Sequence, residues 1–212
     1  PMNAEQIAET IGGSCAKLKP LLYALVVADL LNVEGELFSN TDTANRFLVR
    51  GGPSCVVDIH ELLSDFWNAA LKTAESIRTG VPQANHDYAS MSKDELQQFF
   101  RGQHPYANQY GRSLMARYDF SSYRTLLDVG GGSGGLAIAV TDAIPNIQAT
   151  VVELSTVTPV TQHFIDEAGA RDRIKVVAAD VVHDSLSGSY DAAVMTAFLQ
   201  VLSRDDARCA LK

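Results

Sequence analysis

The 212-residue sequence predicts an α/β fold in two parts, a helical unit followed by an incomplete doubly wound parallel sheet. Three observations carry this reading. Up to residue 122, apolar residues recur at three- and four-residue intervals, the period of amphipathic helices. From residue 124, short apolar runs alternate with helical patterns, as in a parallel sheet. The first of those runs leads into "LLDVGGGSGG", residues 126–135, with five glycines in six positions.

The elements follow in chain order. "AEQIAETIG" is a short amphipathic helix stopped at Gly12-Gly13. "AKLKPLLYALVVADLLN" is a second helix, and "VEGELFSNT" alternates as a small hairpin around Gly35. Helix, helix and β-wing together predict a winged-helix-like unit. "CVVDIHELLSDFWNAALKTAESIRTG" and "SKDELQQFFRGQHPYANQYGRSLMARY" are helical in pattern, with the polar "GVPQANHDYASM" as a loop between them. Trp67 falls on an apolar helical stripe and is expected in the core. Strands are predicted at "TLLDVG", "QATVVEL", "RIKVVAA" and "YDAAVMTAF". Helices are predicted in "SGGLAIAVTDAI", in part of "TVTPVTQHFIDEAGA" and in "SRDDARCALK". The last pattern stops at Lys212 without a cap, and four parallel strands leave an edge open, so a piece of a longer protein is expected. The expected division is 1–100 for the helical unit and 101–212 for the sheet.

Composition narrows the function classes. The chain is 46% hydrophobic with a net charge of -8 and has no basic run, which argues against a polyanionic partner. Over residues 1–50 the bases Lys17, Lys19, Arg46 and Arg50 face Glu5, Glu9, Asp29, Glu34, Glu36 and Asp42. The second helix offers Leu, Val, Ala and Tyr where base-reading side chains would be needed, so the unit is expected to pack or dimerise rather than bind DNA. "LLYALVVADLL" is too short to span a bilayer, and no secretory signal precedes it. The three cysteines and five histidines are scattered, without C-x-x-C spacing. Neither a disulfide framework nor a metal site is expected, and the compartment expected is the reducing cytoplasm.

The glycine loop carries the chemistry. Gly130, Gly132 and Gly135 satisfy the spacing G-x-G-x-x-G after a strand and before a helix, where backbone N–H groups point at a ligand. The second strand ends in Glu153, placed to accept ribose hydroxyls, and the third in Asp180, placed to receive an adenine amino group. An adenosine-type ligand is therefore expected. Asp128 decides which. Beside a pyrophosphate it is a like charge, costing about 4 kcal/mol at ~4 Å and an effective dielectric of roughly 20. Beside S-adenosylmethionine, with its sulfonium and ammonium and no phosphate, it is an attraction, direct or through water.

These stretches, from "DFSSYRTLLDVGGGSGGLAIAVTDAIPNIQATVVELSTV" through "RIKVVAADVV" to "YDAAVMTAFLQVLSRDDARCALK", resemble the class I S-adenosylmethionine-dependent O-methyltransferases. The nearest group is the caffeate and acetylserotonin type with its bacterial natural-product relatives. The resemblance implies a Rossmann-like methyltransferase sheet and a dimerisation domain at the winged-helix-like unit, hence a homodimer. It places Asp128, Gly130, Gly131 and Gly132 on the family's acid-and-glycines motif, which seats the methionine part. Glu153 and Leu154 fall on its ribose motif, and Asp180 and Val181 on its adenine pocket. A lysine that helps hold the cofactor is Thr196 here, and the general-base histidine is Gln200.

An amide cannot accept a proton near pH 7. Three readings stay open. Gln200 positions an acceptor that is already nucleophilic, so that proximity suffices. Another base serves, His104 being the candidate, on a helix that borders the acceptor pocket in relatives. Or the cofactor binds while methylation is altered or lost. The expected reaction is methyl transfer to oxygen of a small acceptor, aromatic acceptors included. An NAD(P)-dependent oxidoreductase is the competing enzyme class, and a non-enzymatic interaction module the competing binding class.

Overall fold

Asn3 starts the first helix, α1 (Ala4–Ile11), with a reciprocal cap: its Oδ1 accepts the Gln6 N–H, and Gln6 Oε1 accepts the Asn3 N–H, both at 2.9 Å. Gly12 ends the helix in the left-handed region, at φ 66°. The next helix, α2 (Cys15–Val27), stops short of the predicted end near Asn32. Asp29 turns left-handed at φ 58°, and Leu31–Glu34 leaves as strand β1 to pair antiparallel with β2 (Leu37–Asn40). The chain leaves the helix at Asp29 and the backbone of Leu31–Glu34 finds its partners in β2, so the apolar run splits between two elements. Thr41 caps a further helix, α3 (Asp42–Leu48), which the sequence reading did not contain. Ala4, Leu22 and Phe38 form the buried centre of this unit, Pro1–Asp58.

This computed structural model describes residues 1–50, 55–84, 88 and 90–211, so the predicted polar loop around residues 80–91 lies partly outside the described residues. The second unit, Ile59–Lys212, opens with α4 (His60–Leu71), α5 (Thr73–Thr79) and α6 (Lys93–Met115). The expected division at 100/101 falls inside α6, which lies whole in this unit. Close packing against α7 (Gly135–Ala143) explains why. A Cβ on Gly111 would stand 2.8 Å from the Leu136 carbonyl oxygen, and one on Gly135 would stand 2.9 Å from Ala107 Cβ. Trp67 is not in the core; it is 70% exposed on α4, with Leu63, Phe66 and Leu71 exposed along the same helix. Apolar periodicity marks a stripe but does not say what covers it.

Four strands, β3 (Thr125–Val129), β4 (Gln148–Glu153), β5 (Ile174–Ala178) and β6 (Ala192–Val194), form one parallel sheet in the order β5-β4-β3-β6. β6 is far shorter than the apolar run predicted for it. The helices α8 (Thr158–Glu167) and α9 (Arg204–Ala210) follow β4 and β6. Leu126, Val140, Ile147, Val151 and Ile165 are fully buried in the core between sheet and helices. Each such side chain stabilises the fold by about 1.5–3 kcal/mol. Strand order reverses at β3, so its C-terminal end opens on the crevice where open α/β sheets bind ligands. Among the described residues no helix is long and apolar enough to cross a membrane.

Candidate functional site

The glycine run forms the loop between β3 and α7. Gly130, Gly132 and Gly134 have φ of 65°, 57° and 71°, a left-handed geometry that side chains with a Cβ resist. Protein atoms occupy the space in front of the first three glycines, Gly130 to Gly132. A Cβ on Gly130 would overlap the Phe198 ring, one on Gly131 would stand 2.7 Å from Asp128 Oδ2, and one on Gly132 would stand 2.9 Å from Phe100 Cε1. These glycines therefore serve internal packing first, and the loop turns backbone rather than side chains to the crevice. Its own bonds are firm. Gly130 N–H donates to Val152 O at 2.9 Å, Gly134 N–H to Gly131 O at 2.9 Å, and the buried Thr161 hydroxyl to Gly132 O at 2.6 Å.

Two carboxylates bear on this loop. Asp128 is 1% exposed, and its Oδ2 has no hydrogen-bond partner among the described residues. Burial first, and the Glu153 charge second, push its pKa up to about 7, while the Ala137 N–H in the first turn of α7 pulls the other way. The fixed charge expected from sequence is thus conditional, because burial favours the protonated carboxyl. Direct contact with a ligand is also closed, because the carboxylate lies under Gly131. Glu153, at the end of β4, holds the loop from the side. Its Oε1 accepts the Gly132 N–H at 2.8 Å and its Oε2 the Leu154 N–H at 3.0 Å. Burial raises its pKa against those two bonds. An unpartnered buried carboxylate oxygen is relieved by a cation nearby and made worse by an anion. The site therefore fits a cationic adenosine compound better than a pyrophosphate.

The other predicted residues stand further round the crevice. Asp180, after β5, closes a turn: its Oδ1 accepts the Val182 N–H at 3.0 Å and its own N–H donates to Asp184 Oδ2 at 2.8 Å. Val181 packs against the buried cluster of Leu127, Val129 and Val152 on the sheet face opposite the main core. Leu154 is 37% exposed beside Glu153. Thr196 follows β6 and is partly buried, whereas Gln200 is exposed on a short 3-10 turn, Leu199–Val201. Between them Ala197 has φ 55°, an unusual conformation for a residue with a Cβ, and Phe198 meets Gly130. The structure thus joins Asp128, Gly131, Gly132 and Glu153 through direct contacts and leaves Gln200 outside that group.

His104 is placed differently from a free base. Its Nδ1 lies 2.9 Å from Ser133 Oγ in the loop, its Nε2 lies 2.8 Å from Asn108 Nδ2, and its ring stacks on Phe164 with centroids 4.7 Å apart. Burial, then the nearby Arg101 charge, bring its pKa down to about 4. Both ring nitrogens are engaged, so no lone pair is left for an acceptor proton.

Sequence reasoning passed over Ser133, Thr161 and Phe198. Ser133, the one polar residue inside the glycine run, was a usable signal. Nothing in sequence marked Thr161 or Phe198. Tyr88, stacked on Phe100 at 5.9 Å, also reaches this corner, and its hydroxyl pKa is raised by burial and by Glu153. A shallow hollow of about 650 Å³, lined by residues 115–121 and 143–145, lies at the opposite end of β3 from the glycine loop.

A family model for the O-methyltransferase domain matches residues 69–212. The chain is 27% identical over 202 residues to 3-hydroxy-5-methyl-1-naphthoate 3-O-methyltransferase of Streptomyces sahachiroi, covering 93% of this chain and 59% of that protein. It is 25% identical over 203 residues to the N,N-dimethyltransferase OxyT of Streptomyces rimosus, covering 92% of this chain and 59% of that protein. The fold is similar to that of human N-acetylserotonin methyltransferase in complex with SAM, with a TM-score of 0.85 at 22% identity over 100% of this chain and 64% of that one. The chain thus spans about three fifths of the length of these relatives.

Proposed function

The chain belongs to the O-methyltransferase domain family, and from that premise we propose that it binds S-adenosylmethionine and serves methyl transfer to oxygen of a small acceptor, aromatic acceptors included. The observation that carries the cofactor is the unpartnered, buried Asp128 Oδ2 beneath Gly131. Asp128 sets a negative potential under the loop, Gly130, Gly131 and Gly132 present backbone to the methionine part, Glu153 and Leu154 serve the ribose, and Asp180 and Val181 the adenine. Thr196 stands near the cofactor edge. When bound, the cofactor supplies a methyl group already activated by the positive sulfur. What the chain must add is alignment. Gln200, exposed and unable to take up a proton near neutral pH, orients an acceptor that arrives nucleophilic. Nitrogen is the runner-up acceptor atom, because a relative is named as an N,N-dimethyltransferase.

The Pro1–Asp58 unit, ordered helix, helix, hairpin, helix, is in this reading a winged-helix-like dimerisation module in a cytoplasmic homodimer. Titration calorimetry with S-adenosylmethionine, S-adenosylhomocysteine and NADH tests the whole reading. Both adenosyl compounds should bind and NADH should not. Asp128→Ala and Glu153→Ala should each weaken S-adenosylmethionine binding about tenfold, roughly 1.4 kcal/mol. Unchanged affinity in both variants sinks the site; binding of NADH alone moves the chain to the oxidoreductases.

A further inference from the structure

We infer that His104 is a positioning residue: through Ser133 it fixes the backbone of the glycine loop on which an adenosine ligand would lie. The inference rests on the cofactor reading above but not on any proton transfer by His104.

The Asn108 side chain settles the hydrogen positions. Asn108 Nδ2 is 3.2 Å from the His104 carbonyl oxygen and 2.8 Å from His104 Nε2. A carbonyl oxygen only accepts, so the amide NH₂ must face it, and the same NH₂ donates to Nε2. The imidazole proton is then on Nδ1, which donates to Ser133 Oγ at 2.9 Å. The stack on Phe164 sets the plane of the ring, and a pKa near 4 keeps this tautomer neutral through the physiological range. Around the ring, Arg101 and Glu167 carry the charges that bear on it.

Ser133 is 1% exposed, and it stands between Gly132 and Gly134, both left-handed. A loop of such residues has little intrinsic preference for one shape, since glycine restricts neither neighbour. Its shape must be imposed from outside. Glu153 holds it from β4 and Thr161 from α8, through the N–H and C=O of Gly132. His104 supplies the corresponding hold from α6, at the next residue. The same helix presses against the loop's exit, where a Cβ on Gly135 would stand 3.0 Å from the His104 carbonyl oxygen. Three elements thus converge on two adjacent loop residues, and His104 is the one whose side chain reaches Ser133.

The test uses the full chain with His104→Ala, His104→Asn, His104→Gln, Ser133→Ala and the His104→Ala/Ser133→Ala double variant. Two readouts are taken: affinity for S-adenosylhomocysteine, and amide hydrogen exchange of Gly132–Gly135 without ligand. Asn carries its amide N–H donor where Nδ1 stands, whereas Gln carries it where Nε2 stands. His104→Ala, His104→Gln and Ser133→Ala should each weaken S-adenosylhomocysteine about tenfold and speed loop exchange about tenfold. The double variant should be no worse than either single, as for two residues acting through one bond. His104→Asn should stay within about twofold of wild type in both readouts. Ser133→Ala without effect, or Asn no better than Ala, overturns the inference in favour of plain packing. Wild-type protein that fails to bind S-adenosylhomocysteine overturns the proposed function, and the exchange data then decide the positioning role by themselves.

Discussion

Asp128→Asn should make the protein more stable in mild alkali, although it alters the centre of the candidate site. The carboxyl is 1% exposed, with one oxygen unpartnered among the described residues and the Glu153 charge acting on it. Its pKa rises from 3.8 to about 7 on folding. The unfolded chain therefore releases this proton near pH 4 while the folded chain keeps it until neutrality. With the folded pKa raised, the unfolded state binds fewer protons across that window, and this group's contribution to stability falls as pH rises from about 4 to 7. That pKa rise corresponds to about 4 kcal/mol, of which about 3 kcal/mol falls between pH 4.5 and 8. Asn keeps an oxygen for the Ala137 N–H and carries no charge to desolvate. Urea unfolding of wild type and variant at pH 4.5 and 8 measures it. The stability difference, variant minus wild type, should grow by about 3 kcal/mol between the two pH values. Growth of less than about 1 kcal/mol would refute the buried-charge account.

His104 should produce the opposite slope. Its pKa falls from 6.5 to about 4 on folding, so its contribution is lost as pH drops through that window, by about 3 kcal/mol in all. In wild type the two slopes oppose each other; His104→Asn should remove one and leave stability falling more steeply with rising pH, again read by urea unfolding. Gly111→Ala should cost about 1–3 kcal/mol despite the better helix propensity of alanine, because its Cβ would stand 2.8 Å from the Leu136 carbonyl oxygen; a stabilised variant in thermal unfolding would mean that α6 and α7 can separate cheaply. Gly130→Ala meets both a left-handed φ of 65° and the Phe198 ring, so it should lose at least about 2 kcal/mol. Adding Phe198→Ala should recover part of that loss, and a double-mutant cycle in urea reads the coupling.

The sheet was legible because its strands are nearly continuous apolar runs. "TLLDVG", "QATVVEL" and "RIKVVAA" each contain an observed strand, Thr125–Val129, Gln148–Glu153 and Ile174–Ala178. Burial on both faces of a parallel strand writes itself into composition. Where the same composition fits two structures, sequence and structure differ. The pattern of "AKLKPLLYALVVADLLN" predicts helix to its end, but Asp29 breaks it and Leu31 finds a strand partner in Asn40. Trp67 sits on a periodic stripe and is nevertheless exposed. Helical period reports which residues share a face; it carries no information about what meets that face.

By itself the sequence determined the α/β class, the glycine loop at the first strand's end, the acids Asp128 and Glu153 near it, and the family to which the motifs point. Those features depend on residues close in the chain or on a strand's fixed length. Only the tertiary structure decided what each residue does. Asp128 proved to lie under the loop, with a pKa near neutrality, because burial and a second carboxylate from β4 act on it together. His104, in sequence one candidate base among three open readings, is bound at both ring nitrogens, one of them through Ser133, 29 residues away. Charge state and proton position depend on the dielectric and on partners brought in from distant segments, so they become definite only when the chain is folded.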